Sequence, residues 1–287
     1  MATSDRGVEA LDGGGLKFEI RISQFEIGSD MAYVHVERAV KSFLREDGRE
    51  MLVLDGVSFD TREYGITCLL GPSGCGKSTL LNVISGLERL ERGYVEVVSN
   101  HRESGMRPPQ LGYVFQDPRL LNWKTVEGNL IFALRGMKVS EAEWEERLHK
   151  YLELVGLFEF RKQYPLYLSG GMRQRVGLAR GLVIEPEVLL MDEPYSKLDQ
   201  LTARKLREDT LAICARLRQT ALLVTHDVEE AVYMGDRIVM LSSRPARIAE
   251  ILENPFPPLE RDLDDVRFIQ FKKKLLQTVL KLVNQEV

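Results

Sequence analysis

The apolar positions along this chain change spacing several times, and each change predicts a different element. Between Tyr33 and Phe59 they read as strands: Tyr33, Val34 and Val36, then Met51-Leu52-Val53-Leu54, then Val57-Ser58-Phe59. Asp47-Gly48 marks the turn between them. Ile66-Thr67-Cys68-Leu69-Leu70 and Val188-Leu189-Leu190-Met191 are short, almost wholly apolar runs, the pattern of strands buried on both faces. Ala221-Leu222-Leu223-Val224 and Arg237-Ile238-Val239-Met240-Leu241 add two more. Helical spacing replaces this over 141–155 (Trp144, Leu148, Tyr151, Leu152, Val155, ending near Gly156), over 200–218 and over 228–234. The alternation predicts an α/β fold around a parallel central sheet.

The two ends read differently. Leu16, Phe18, Ile20 and Ile22 alternate with Lys17, Glu19 and Arg21 behind a Gly13-Gly14-Gly15 run, so residues 1–30 form an extension with one short strand, and Met31 is an alternative start. Pro255, Pro257 and Pro258 mark a linker. Phe268, Phe271, Leu275, Val279 and Leu282 then predict one helix whose stripe docks on the parent domain.

Length and charge narrow the classes. The 287 residues are enough for one large or two small domains with a sizeable core. The net charge of −4 argues against a dedicated nucleic-acid binder. No apolar run approaches the ~18 residues of a membrane span, and no basic stretch with an apolar core opens the chain as a secretory signal would. Cys68, Cys75 and Cys214 lack metal-ligand spacing and fit a reducing cytosol, with Cys68 and Cys75, before and within the loop described next, read as small thiols without a redox role.

The chemistry concentrates at Gly71-Pro72-Ser73-Gly74-Cys75-Gly76-Lys77-Ser78-Thr79, which fits the phosphate-binding pattern G-x-x-x-x-G-K-[ST] between a strand and a helix start. Glycines let successive backbone N–H groups turn toward an anion, and the helix N-terminus adds free donors and a favourable dipole. Lys77 can reach the β- and γ-phosphates of a nucleotide, and the Ser78 hydroxyl can ligate Mg²⁺. The apolar strand ending in Asp192-Glu193 places an acid beside that loop. Asp192 can then hold Mg²⁺, and Glu193 can polarise the attacking water.

Leu168-Ser169-Gly170-Gly171-Met172-Arg173-Gln174, lying between the loop and the acidic strand, resembles the signature of ATP-binding-cassette ATPases. Ser169, Gly170 and Gly171 open a helix and make a second anion site. The resemblance covers about residues 33–245 and implies that this second site sits on the γ-phosphate of a nucleotide held by another subunit. It further implies that Gln116, in Val114-Phe115-Gln116-Asp117, contacts Mg²⁺ and water and links the site to a helical subdomain. By the same resemblance His226, in Val224-Thr225-His226-Asp227, is the switch histidine. Ser196-Lys197-Leu198-Asp199 matches the D-loop, which places Asp199 at the nucleotide site, with Lys197 where the family has a small residue. Phe43 stands where the family stacks an aromatic on adenine, with Tyr33 as the other candidate.

The resemblance implies a P-loop NTPase with a RecA-like core, an antiparallel β subdomain and a helical signature subdomain at about 117–182. The nucleotide-binding domain spans 31–250, and 251–287 form a C-terminal linker and helix. It implies ATP and Mg²⁺ as cofactors, a head-to-tail homodimer with composite sites, and integral membrane permease subunits as partners. A solute-binding protein would act indirectly, and the place of action would be the cytoplasmic face of the membrane. Leu120-Leu121-Asn122-Trp123 and Arg244-Pro245-Ala246-Arg247-Ile248 are similar to elements of the nitrate/sulfonate/taurine-type importers, with Asn122 for proline and Ala246 for glycine. Three alternatives compete. A small-molecule P-loop kinase lacks any use for Ser169-Gly170-Gly171 or His226. A soluble cassette ATPase acting on nucleic acid or ribosomes usually carries a coiled-coil insertion or two cassettes. An exporter cassette is usually fused to membrane helices.

Overall fold

The computed structural model describes residues 32–99, 109–262 and 264–284; the expected strand near Leu16–Ile22 and the alternative start at Met31 lie outside them. Two sheets divide the chain. An antiparallel sheet of order β2-β1-β4 comprises β1 (Ala32–Leu44), β2 (Glu50–Asp60) and β4 (Arg92–Ser99). A six-stranded sheet of order β5-β6-β7-β3-β8-β9 comprises β5 (Leu111–Val114), β6 (Val188–Asp192), β7 (Thr220–Thr225), β3 (Ile66–Leu70), β8 (Arg237–Leu241) and β9 (Ile248–Glu253). Its members are parallel except β9, which pairs antiparallel with β8.

The wholly apolar strands follow from this layering. Alternate residues of β6 point into different cores: Val188 and Leu190 join the antiparallel strands and α1 (Lys77–Ile84), whereas Leu189 and Met191 join the helices on the other face. β7 repeats the division, with Leu222 and Val224 on one side and Ala221 and Leu223 on the other. Neither face meets water, so both faces are apolar except where a hydroxyl finds a partner, as that of Thr220 does on the Ala32 carbonyl.

Between β5 and β6 the chain inserts α2 (Val126–Gly136), α3 (Trp144–Leu154) and α4 (Gly170–Leu182), which pack on one another. α2 escaped the sequence reading although Val126, Leu130 and Leu134 share one face and Thr125 caps it by accepting the Gly128 N–H at 3.1 Å. α5 (Gln200–Leu217) and α6 (Val228–Met234) return the chain to β7 and β8. α7 (Val266–Asn284) docks through buried Phe268 and Leu275, with Phe271 and Val279 packed against the same core. The linker before α7 is anchored. Asn254 donates to the carbonyls of Val232 and Gly235 at 2.7 and 2.8 Å, and the buried Arg261 pairs with Asp236.

Candidate nucleotide site

Parallel strands all end on the same edge, and that edge carries the site. The phosphate loop follows β3, Gln116 follows β5, Asp192 and Glu193 close β6, and His226 follows β7. Because β7 lies between β3 and β6, three sequence-remote segments converge.

The loop's shape requires its glycines at two positions. Gly74 has φ 76°, and Gly76, the residue capping α1, has φ 125°. A Cβ at Gly76 would also stand 2.9 Å from Val53 of β2. Lys77 is buried and donates to the carbonyls of Gly71 and Pro72, both at 2.8 Å, which holds its ammonium at the loop. The Cys75 thiol is buried and pushed up by that burial. Cys214, likewise buried, is pushed up to about 12. Thiols so placed stay protonated near neutrality.

Ser78 Oγ donates to Asp192 Oδ1 at 3.0 Å. Burial raises the Asp192 carboxyl above its ordinary value, and the Ser78 hydrogen bond opposes the shift. Glu193 sits in the left-handed region with φ 42°, a conformation that costs a non-glycine residue about 1 kcal/mol or more. Its N–H donates to the Val224 carbonyl at 3.0 Å, which ties it to β7. Glu193 Oε1 lies 3.1 Å from His226 Nδ1, and Gln116 Nε2 lies 3.4 Å from Glu193 Oε2. Gln116 Nε2 also donates to Ser196 Oγ at 3.0 Å, which joins it to the Ser196–Asp199 motif, a contact that spacing alone did not foretell.

The insertion is bound to this edge. Gln174 Nε2 of α4 donates to the Phe115 carbonyl at 3.0 Å, and Arg180 donates to the carbonyls of Pro118 and Arg119. Ser169 caps α4 by accepting the Met172 N–H at 3.2 Å. Its neighbours Gly170 and Gly171 face the following loop: a Cβ at Gly170 would stand 3.6 Å from Leu198, and one at Gly171 only 2.5 Å from Thr202. Asp199 caps α5 by accepting the Thr202 N–H at 3.0 Å, and these hydrogen bonds lower its carboxyl. Lys197 Nζ lies 3.6 Å from Asp117 Oδ2, so the unusual lysine reaches the residue beside Gln116.

The two aromatic candidates separate. Phe43 pairs with Met51 on β2, the strand that touches Gly76, and Lys41 Nζ stands 4.8 Å from its ring. Tyr33 pairs with Val98 beside Ala32, whose carbonyl accepts the Thr220 hydroxyl at the start of β7, the opposite edge of the sheet.

Residues 54–196 match the family model for ABC transporters. The chain is 39% identical over 251 residues to a nitrate import ATP-binding protein of Synechococcus elongatus, covering 85% of this chain and 90% of the relative. It is 36% identical over 244 residues to an aliphatic sulfonates import ATP-binding protein of Bacillus cereus, covering 85% and 94%. Among solved structures, a dimeric post-hydrolysis state of an ATP-binding cassette bound to ADP and Pi aligns with TM-score 0.64 and 28% identity, over 78% of this chain and 100% of that one. Fold, motif order and these likenesses agree: the chain belongs to the ABC transporter family and is one of its ATPases.

Proposed function

We propose that this chain is the ATP-hydrolysing subunit of an importer that takes up a small solute of the nitrate, sulfonate or taurine kind through a separate membrane permease. The observation that carries the reading is the meeting of Gln116, Glu193 and His226 beside the Ser78–Asp192 pair on one sheet edge. Relatives named as nitrate, aliphatic sulfonate and taurine import proteins support the solute class.

In this reading the loop N–H groups and Lys77 bind the β- and γ-phosphates, and Phe43 stacks on adenine. Glu193 polarises the attacking water, His226 orients Glu193 and faces the terminal phosphate, and Gln116 reports the phosphate to α2–α4. Ser78 and Asp192, with the Gln116 amide, are oxygen donors, the set a hard cation such as Mg²⁺ prefers. Among the described residues no group of three or more His, Cys, Asp or Glu could hold a metal, which fits an ion held mainly by phosphates. Mg²⁺ when bound neutralises charge on the β- and γ-oxygens. Ser169, Gly170, Gly171 and Asp199 complete the site of a second copy in a head-to-tail homodimer. Residues 31–250 act as the nucleotide-binding domain, 117–182 as its helical subdomain, 251–287 as a linker and helix, and 1–30 as an extension.

The permease contact is assigned to the surface beside the segment that follows Gln116. Leu120 packs against the core, whereas Trp123 is 74% exposed. Nearby, the Gln163 carbonyl accepts the Val126 N–H, and the following segment exposes Leu166 and Tyr167 by 71% and 78%. Apolar area left in water costs about 25 cal/mol per Å², and such a patch marks a partner site. Among the described residues no helix is long and apolar enough to cross a membrane, which suits a peripheral place on the permease's cytoplasmic side. Changing Trp123 and Leu166 together to Gln is expected to move the melting temperature and basal ATP hydrolysis little. The same change is expected to abolish co-purification with the permease and solute uptake. Retained uptake in membrane vesicles would remove this assignment, and ATP hydrolysis strictly dependent on DNA or ribosomes would replace the importer reading.

A further inference from the structure

α7 carries two apolar stripes, and the fold uses one of them. Phe268 and Leu275 are buried, and Phe271 and Val279 pack against the same core. Val266, Ile269, Leu276 and Leu280 form the second stripe, turned about a third of the way round a helix of 3.6 residues per turn. They are 65%, 48%, 42% and 51% exposed. Aliphatic side chains scattered singly over a surface are ordinary, but four on one helix face make a patch that asks for a partner.

The charges of the helix have one sign. Val266–Asn284 contains Arg267, Lys272, Lys273, Lys274 and Lys281 and no acid, in a chain of net charge −4. Lys272, between the two stripes, pairs with Glu229 of α6. Lys273 falls within the exposed stripe, between Ile269 and Leu276, and Lys274 and Lys281 share the solvent side. Among the described residues these three have no ion-pair partner. The nearest acids in sequence precede the helix. Asp265 pairs with Arg267 and accepts its N–H at 2.7 Å. The free positive face therefore runs from Ile269 toward the C-terminal end, away from Asp262, Asp264 and Asp265.

This combination selects among occupants. A second copy of the same face would set lysine against lysine. A neutral apolar groove would give the ammonium groups no counter-charge. An anionic bilayer surface meets both needs: its phosphates face the ammonium groups, while the leucines and the lysine stems reach the acyl boundary. The choice of a bilayer over other anionic surfaces rests on the peripheral place proposed above.

We propose that the exposed face of α7, centred on Ile269, Lys273, Leu276 and Leu280, is a contact for an anionic lipid surface. It is a second attachment, distinct from the Trp123–Leu166 surface assigned to the permease. The helix need not undock to make it, because Phe268 and Leu275 hold the other side and the preceding linker is anchored by Asn254 and Arg261. A few aliphatic side chains and three free ammonium groups give a reversible, salt-sensitive attachment.

The test uses the full chain without permease and reads co-sedimentation with vesicles of phosphatidylcholine alone or mixed with phosphatidylglycerol. The chain should sediment with the mixed vesicles and not with the neutral ones. Binding should fall with added salt, since the screening length shrinks from about 10 Å at 0.1 M to about 3 Å at 1 M. Lys273→Gln/Lys274→Gln should weaken binding by about twenty-fivefold, about fivefold for each charge removed. Leu276→Ser/Leu280→Ser should weaken it by at least about tenfold. Both variants should keep the wild-type melting temperature and basal Mg-ATP turnover, because all four positions are exposed. Equal sedimentation with neutral vesicles, or unchanged sedimentation of both variants, would overturn the proposal. Tighter binding to duplex DNA than to the mixed vesicles would overturn it in favour of nucleic acid. A nucleotide-free dimer that Leu276→Ser/Leu280→Ser dissolves would overturn it in favour of a second copy. If the leucine variant melts early, the lysine variant, which removes no apolar contact, decides alone. Failure of the importer reading is distinct, since it is read in co-purification with the permease and not in vesicle binding.

Discussion

Glu193→Gln is expected to bind ATP as tightly as the wild type and to lose between about a hundredfold and ten-thousandfold in turnover, the usual contribution of a general base. The substitution keeps the size and planarity of the side chain. The backbone N–H at 193 still donates to the Val224 carbonyl at 3.0 Å, so the strained φ of 42° is retained. What disappears is the negative charge that polarises water. The Nδ1 of His226, 3.1 Å from Glu193 Oε1, then faces a neutral amide oxygen or nitrogen in place of a carboxylate. ATP that binds without being cleaved should hold two chains together, so the variant should elute as a dimer in ATP with Mg²⁺ and as a monomer in ADP. Phosphate release at near wild-type rate would show that Glu193 is not the base.

The second large effect concerns two lesions in different copies. Lys77→Ala removes the ammonium that Gly71 and Pro72 hold at the phosphate loop. A hydrogen bond to a charged group contributes about 1.5–3 kcal/mol, so ATP affinity should fall by roughly tenfold to a hundredfold, along with turnover. Ser169→Arg acts elsewhere. The hydrogen bond made by Ser169 is with its own helix, and the neighbouring Gly170 and Gly171 face Leu198 and Thr202, not the phosphate loop of the same chain. This variant should bind ATP, melt within a few degrees of wild type after losing one helix cap, and hydrolyse almost nothing. Mixed in equal amounts, the two inactive variants form heterodimers in which one composite site carries both lesions and the other is whole. Recovery of up to about a quarter of wild-type turnover is expected for a two-fold head-to-tail dimer, provided one intact site turns over. Wild-type turnover by Ser169→Arg under conditions that keep it monomeric would remove the reason for a composite site.

Much of this was legible in the sequence because local chemistry leaves local marks. The loop Gly71–Thr79 needs glycine where φ is positive, and Gly74 and Gly76 adopt such values. Strands buried on both faces must be almost wholly apolar, and β3, β6 and β7 are, apart from threonines and the terminal Asp192. The amphipathic stripe of the last helix predicted its docking, and Phe268 and Leu275 are buried as expected. Elements with weaker marks were lost: β5 is short, β9 is half-exposed and alternates Ile, Ala, Glu in a way a loop could share, and β4 opens on exposed Arg92 and Gly93.

The sequence by itself marked the candidate residues and the apolar runs of the strands that precede them. Only the tertiary structure decided which of them meet. That Gln116, Glu193 and His226 come together follows from strand order, because β5, β6 and β7 are neighbours and all three end on one edge. The separation of Phe43 from Tyr33 follows from pairing register, which sends the two ends of one strand to opposite edges of the sheet. The division of Leu120 from Trp123, one packed and one in water, depends on which way a loop turns.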